Sequence, residues 1–169
     1  MILRNFAFLL TIPAALIISC LSARASEPFS DADKAFVAKV SQGGMYEVEL
    51  GKLAETKGVA QDIKDQGNTE AHDHMLVGEK LKSIVEGNGM SFPDHLNAKF
   101  QARLDKISAL PADQFDAAYT QDMIKIHKAD GAAFAKESAS GTNPDLKAFA
   151  AETYRIVQRH LGELGATVR

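Results

Sequence analysis

The sequence predicts an all-α protein, a four-helix bundle with a short connector helix between its second and third long helices. Three observations carry that prediction. Ala, Leu, Lys, Glu and Asp are abundant, Trp is absent and β-branched runs are scarce, a composition that favours helix over strand. Apolar residues recur at helical spacing in four long stretches, and no stretch alternates as a half-buried strand would. Gly, Pro and Asn punctuate the chain where those stretches end.

The first helix is predicted over 31–57. Ser30 is its N-cap, and Asp33 at the third helical position completes a capping-box-like start. Phe36, Val37, Val40, Gly44, Val48, Gly51 and Ala54 form its inward stripe, and Gly58 ends it. The second helix is predicted over 59–86, with Val59, Ile63, Gly67, Val77, Leu81, Ile84 and Val85 inward and Gly87-Asn88-Gly89 as its stop. Residues 90–111 form the connector. Pro93 and Pro111 bracket a short amphipathic run of Leu96, Phe100, Leu104 and Ile107, long enough to travel the length of a bundle as the crossover does in ferritin-like folds. The third long helix spans 112–140, with Phe115, Tyr119, Met123, Ile126, Ala133 and Phe134 inward and Gly141 at its end. The fourth starts with Asn143 as N-cap and Pro144 at the first helical position. Leu146, Phe149, Thr153, Ile156, Val157 and Leu164 make its stripe.

The beginning of the chain reads as a targeting segment. Arg4 supplies the positive region, Phe6 to Ile18 an apolar region broken by Pro13, and Ala23-Arg24-Ala25 a small-x-small cleavage site. Residues 1–25 are therefore expected to be a signal peptide and 26–169 a single exported, periplasmic domain. Two alternatives stay open: Ile17-Ile18-Ser19-Cys20 resembles a lipobox that would anchor the protein by lipid on Cys20, and the apolar run could remain as an uncleaved anchor. Cys20 is the only cysteine, so a chain cleaved after Ala25 has no disulfide and no thiolate ligand. The whole chain carries a charge of −3, and because the leader holds Arg4 and Arg24 and no acidic residue, the remainder stands at −5. An acidic chain without a basic run argues against nucleic acid and anionic membrane surfaces as partners. After the leader, no transmembrane segment is expected. A homo-oligomer and an unidentified protein partner remain open.

Several polar residues fall on the inward faces. Glu47 lies at the centre of the first helix's stripe, while Glu49 points away from it. Gly43, Gly44 and Gly51 sit about one turn before and after Glu47, leaving its surroundings free of side chains, although glycine in a helix interior is disfavoured by about 1 kcal/mol against alanine. On the second helix Glu70 and His74 are one turn apart in the stripe, with Asp73 at its edge and His72 outward. Asp122 and Asp130 lie in or beside the third helix's stripe, His127 at its rim, and His160 near the centre of the fourth. At about 1.5 Å per residue, Glu47, Glu70 and His74 share a depth, and His127 and His160 also fall near the middle.

Ligands converging from facing helices are how bundles build metal sites. A metal would also explain buried carboxylates, which are expensive when unpaired. We therefore expect Glu47, His74, His127 and His160 to bind a divalent metal, with Glu70, Asp73, Asp122 and Asp130 as additional or supporting groups. Imidazole and carboxylate without sulfur suit Zn, Fe, Mn or Cu(II). The Glu-x-x-His pairs of di-iron bundles are absent, because Glu70 and His74 are four apart, Ile124 stands three residues before His127 and Val157 three before His160. No Cys-x-x-Cys-His occurs and Met45 and Met75 face off the stripe, so haem is not expected. Tyr119 reads as a core residue with its hydroxyl bonded. The same residues would equally form a metal-free hydrogen-bonded network in a non-catalytic envelope or stress-related interaction protein. A third reading is a small-molecule-binding bundle with a pocket beside Glu47, opened by Gly44 and Gly51.

The ordered set GGMYEVELGKLAETKG, Asp73-His74, ARLDKISAL, FDAAY…M…HKAD and NPDLKAFAAET…Q.HL resembles the bacterial family known as domain of unknown function 4142. The resemblance covers roughly 31–164 and implies export and a ferritin-like helical fold. It implies no activity. Its pattern falls on Gly43, Gly44, Met45, Glu47, Asp73, His74, His127 and His160. The chain departs from it at Ile126, where the family commonly has Asp, at Glu70, where it has Met, and at Phe100, where it has His.

Overall fold

The structure is a computed structural model that describes residues 28–166; the leader, its cleavage site and Cys20 lie outside the described residues. Within them the chain is all-helical, with five helices and no strand: α1 (Asp31–Lys57), α2 (Gln61–Gly87), α3 (Ala98–Ser108), α4 (Ala112–Ser140) and α5 (Pro144–Glu163). None of these helices is long and apolar enough to cross a membrane.

Local chemistry sets most of the boundaries. Ser30 and Asp33 form a reciprocal capping box at the start of α1, with Asp33 N donating to Ser30 Oγ at 3.2 Å and Ser30 N to Asp33 Oδ2 at 2.8 Å. Asn97 caps α3 by accepting from Phe100 N, and Asn143 caps α5 by accepting from Asp145 N and Leu146 N, just ahead of Pro144. The start of α2 differs from the expectation at 59. Ala60 at its N-cap has no side-chain acceptor, and Asp116 of α4 accepts instead from Val59 N and Ala60 N, at 3.0 and 2.9 Å. Val59 consequently lies before the helix and is 63 % exposed rather than part of an inward stripe.

The α1–α2 and α4–α5 pairings are the most extensive. α1 also packs on α4 and α2 on α5, while α3 lies against α1 and α4. The α1–α2 pairing is closest at Gly51 and Gly67. A Cβ on Gly51 would lie 2.7 Å from Gly67 O, and one on Gly67 would lie 2.6 Å from Gly51 O. Glycine is needed there because backbone meets backbone.

The buried apolar side chains fall into two clusters, one including Phe36, Val40, Leu81, Val85, Phe134 and Phe149, the other Tyr46, Leu50, Phe115, Tyr119 and Met123. On α1 the first cluster supplies residues before Glu47 and the second mainly residues after it; on α4 the order reverses around His127 and Asp130. A group of buried polar residues around Glu47 and His127 thus forms a layer between the two apolar clusters.

Candidate metal centre

Five residues from four helices make that layer: Glu47 from α1, Glu70 and His74 from α2, His127 from α4 and His160 from α5, none more than 2 % exposed. The three imidazoles stand in a near-equilateral triangle, with ring centroids 5.4 Å apart for His74–His127, 5.4 Å for His74–His160 and 5.3 Å for His127–His160. Glu70 closes the triangle. Its Oε2 lies 2.9 Å from His160 Nδ1, 3.2 Å from His127 Nε2 and 3.3 Å from His74 Nε2. One ligand atom from each of Glu70, His74, His127 and His160 lies within 4.8 Å of every other, so this buried group could hold a metal ion. Around zinc, with bonds near 2.0–2.1 Å, tetrahedral ligand atoms stand about 3.3 Å apart.

The outer ring nitrogens explain why the inner ones converge. His127 Nδ1 is 2.9 Å from Met123 O, which can only accept; a neutral His127 therefore carries its proton on Nδ1 and leaves Nε2 a lone pair. His160 Nε2 meets Asp73 Oδ2 at 3.0 Å, with Arg159 Nη2 3.2 Å from the same nitrogen, and His74 Nδ1 meets Glu47 Oε2 at 3.2 Å; where these nitrogens donate to the oxygens, the ones that face Glu70 keep a lone pair. An acceptor oxygen behind each imidazole is the usual second half of a metal-ligating histidine. The inner atoms are left without suitable partners. Both carboxylate oxygens of Glu70 and Nε2 of His74 are buried and make no hydrogen bond. His127 Nε2 and His160 Nδ1 face each other at 3.1 Å, so that with the outer nitrogens of both rings protonated a further proton or a cation is needed between them.

The electrostatics separate the two glutamates. Burial, together with the nearby Asp130 and Glu70, pushes Glu47 well above the usual carboxylate range, towards its neutral form. Burial works to raise Glu70 too, but His127, His160 and His74 around it hold it well below that range. Burial lowers His74 despite Glu70, whereas Glu70 and Asp73 raise His160 against its burial. The carboxylate kept ionised at the centre is therefore Glu70, and Glu47 takes the outer place. Its Oε2 backs His74, and its Oε1 is 3.4 Å from His127 Nδ1.

The remaining expected residues occupy distinct places. Asp73 sits behind His160 and is held from outside by Arg159. Asp130 is buried, with its Oδ1 3.3 Å from Lys39 Nζ, and a Cβ on Gly43 would collide with its carboxylate. Gly43 thus makes room for Asp130. Asp122 stands apart from the histidines, accepting from Tyr46 Oη at 2.5 Å and from Arg103 Nε at 2.9 Å; Arg103 lies over the Tyr46 ring at 4.8 Å and so ties α3 to α1 and α4. His72 is exposed, and so is His95 beside Asp94. Tyr119 departs from its expectation: it is fully buried, but its hydroxyl has no partner. The role of the Met123 carbonyl was not anticipated, although its position one turn before His127 on α4 is a signal that could have pointed to it.

The chain matches the family model described as "Domain of unknown function (DUF4142)" over residues 19–166 and belongs to that family. No curated protein and no solved structure matches it.

Proposed function

We propose that this member of the family binds one divalent transition-metal ion through Glu70, His74, His127 and His160. Glu47, the Met123 carbonyl and Asp73 orient the three imidazoles from behind. The observation that carries this reading is the pairing of three histidines whose outer nitrogens each meet an oxygen with a central carboxylate whose buried oxygens have no hydrogen bond. A cation at that point would neutralise Glu70 and separate the facing lone pairs of His127 and His160. Nitrogen and carboxylate donors without sulfur suit Zn, Fe, Mn or Cu(II). Asp130 and Asp122 are assigned to neighbouring structure rather than to the ion, which revises the expected ligand set by exchanging Glu47 for Glu70.

In this reading α1, α2, α4 and α5 form one ferritin-like four-helix bundle spanning 26–169, with α3 as the connector. Export to the periplasm is supported by the leader motif and by what the family resemblance implies. The test is elemental analysis of protein purified without a His-tag and without chelator. One equivalent of Zn, Fe, Mn or Cu, lost in His74→Ala and His160→Ala, is the expected result. Absence of bound metal, with no thermal shift on adding any of the four, would overturn it and leave a hydrogen-bonded network with a proton between His127 and His160.

A further inference from the structure

Two glycines stand apart from the rest. Gly43 gives way to Asp130, and Gly51 and Gly67 to each other's backbone. At Gly44 in α1 and Gly78 in α2, an added Cβ would meet nothing within 4 Å. Gly87 and Gly162 are also open, but they lie at or near helix ends, where glycine is tolerated. In a helix interior glycine is among the poorest formers, so unfilled space beside it needs another reason.

Both glycines border a cavity of about 500 Å³ between α1, α2 and the segment leading into α3. That volume is in the range of small-molecule sites. The cavity runs from exposed residues at its mouth, Asp94, His95 and Met75, to Leu81, Phe134 and Phe149 in the core. His74 lies on its wall, so the cavity and the histidine triangle share one imidazole. No Lys or Arg lines it, and its two carboxylates are already engaged, Glu49 with Lys52 at 3.0 Å and Asp94 with His95 at 2.5 Å. Both carboxylates are exposed and already have a neighbour, Ser41 and Gln101 are the uncharged polar groups of the lining beside the two histidines, and the buried wall offers a charged ligand no counter-ion.

We propose that this cavity binds an uncharged, predominantly apolar small molecule and presents it to His74, with Gly44 and Gly78 keeping it open. The inference deepens the metal reading by naming the class of molecule that would reach the centre, but binding itself requires no metal. It is therefore tested on both chelator-treated and metal-supplemented protein. Octanol, octanoate and octylamine are titrated by calorimetry, and the His74 ring resonances are followed by NMR. The expected result is saturable octanol binding in both preparations, at least tenfold tighter than either charged analogue, with a shift of the His74 signals. Gly44→Leu/Gly78→Leu should weaken octanol at least tenfold, with Gly44→Ala and circular dichroism as controls for folding. Failure of the supplemented protein to take up any of the four metals, with octanol still bound, would sink the metal reading and leave this one standing. Equal or tighter binding of octanoate or octylamine, no shift at His74, or an unchanged affinity in a folded leucine variant would overturn the inference. So would concentration-dependent self-association that octanol displaces, which would assign the cavity to a second copy of the chain.

Discussion

Gly44→Ala and Gly51→Ala are the same chemical change seven residues apart on one helix, and they should move stability in opposite directions. Alanine gains about 1 kcal/mol over glycine in a helix interior. At position 44 nothing within 4 Å opposes the new methyl, so that gain should be retained, as about 0.5–1 kcal/mol of stabilisation. At position 51 the methyl would lie 2.7 Å from Gly67 O, 2.9 Å from Ala71 N and 3.2 Å from Ala71 Cβ. The first two neighbours are backbone and cannot rotate away, so α1 and α2 must move apart along their main interface. Overpacking of this kind costs about 1–3 kcal/mol, and more where backbone must shift. With two backbone contacts the cost falls in the upper part of that range, about 2–3 kcal/mol, so that after the helix-propensity gain Gly51→Ala should be destabilised by about 1–2 kcal/mol. For a chain of this size a kcal/mol corresponds to about 3–4 °C in Tm. The assay is urea unfolding followed by far-ultraviolet circular dichroism on chelator-treated protein, so that ligand linkage does not contribute. Equal-sign shifts in the two variants, or a Gly51→Ala protein at least as stable as the parent, would refute the close approach of α1 and α2.

Two further predictions test the electrostatics. Asp73→Asn keeps all four proposed ligands but weakens the acceptor behind His160 Nε2; metal affinity measured against a competing chelator should fall about 10–100-fold, and an unchanged affinity would remove Asp73 from the site. Glu137 is 5 % exposed, and burial together with the neighbouring Asp33 carboxylate pushes it up to about 7 from an ordinary value of 4.5. Between those two pH values the unfolded chain releases this proton while the folded one keeps it, so the contribution of Glu137 to stability falls as pH rises from 4.5 to about 7. Relative to the parent, Glu137→Gln should therefore gain about 1–3 kcal/mol between pH 4.5 and pH 8 in urea unfolding, and parallel pH profiles would refute that assignment.

Helix content and most helix limits were legible because their causes are local. Ser30 with Asp33, Asn143 with Pro144, and the glycine and proline stops act within one turn of the boundaries they define. The exception is informative: Val59 and Ala60 stand before α2 with their amides held by Asp116, more than fifty residues away. Inward direction was also legible, since a 100° step places Glu47, Glu70, His74, His127 and His160 on apolar faces, and all five are buried. Periodicity did not distinguish the roles of those residues. Gly43, Gly44 and Gly51 looked like one device for clearing space around Glu47. In the fold Gly43 accommodates Asp130, Gly51 accommodates α2, and Gly44 borders the cavity.

By itself, then, the sequence determined which segments are helical and turned its polar cluster inward, because capping and the helical repeat are properties of neighbouring residues. But it placed Val59 inward and left Tyr46, Leu50 and Leu161 out of the stripes, although Val59 is exposed and the other three are fully buried. The tertiary structure decided that Glu70 rather than Glu47 stands among the three histidines. Glu70 Oε2 faces His74, His127 and His160, while Glu47 meets the outer nitrogens of His74 and His127. That choice depends on the relative depth and rotation of α2, α4 and α5. Those are fixed by packing such as the Gly51–Gly67 approach and the Asp122–Arg103–Tyr46 tie, between residues that are not neighbours in the chain.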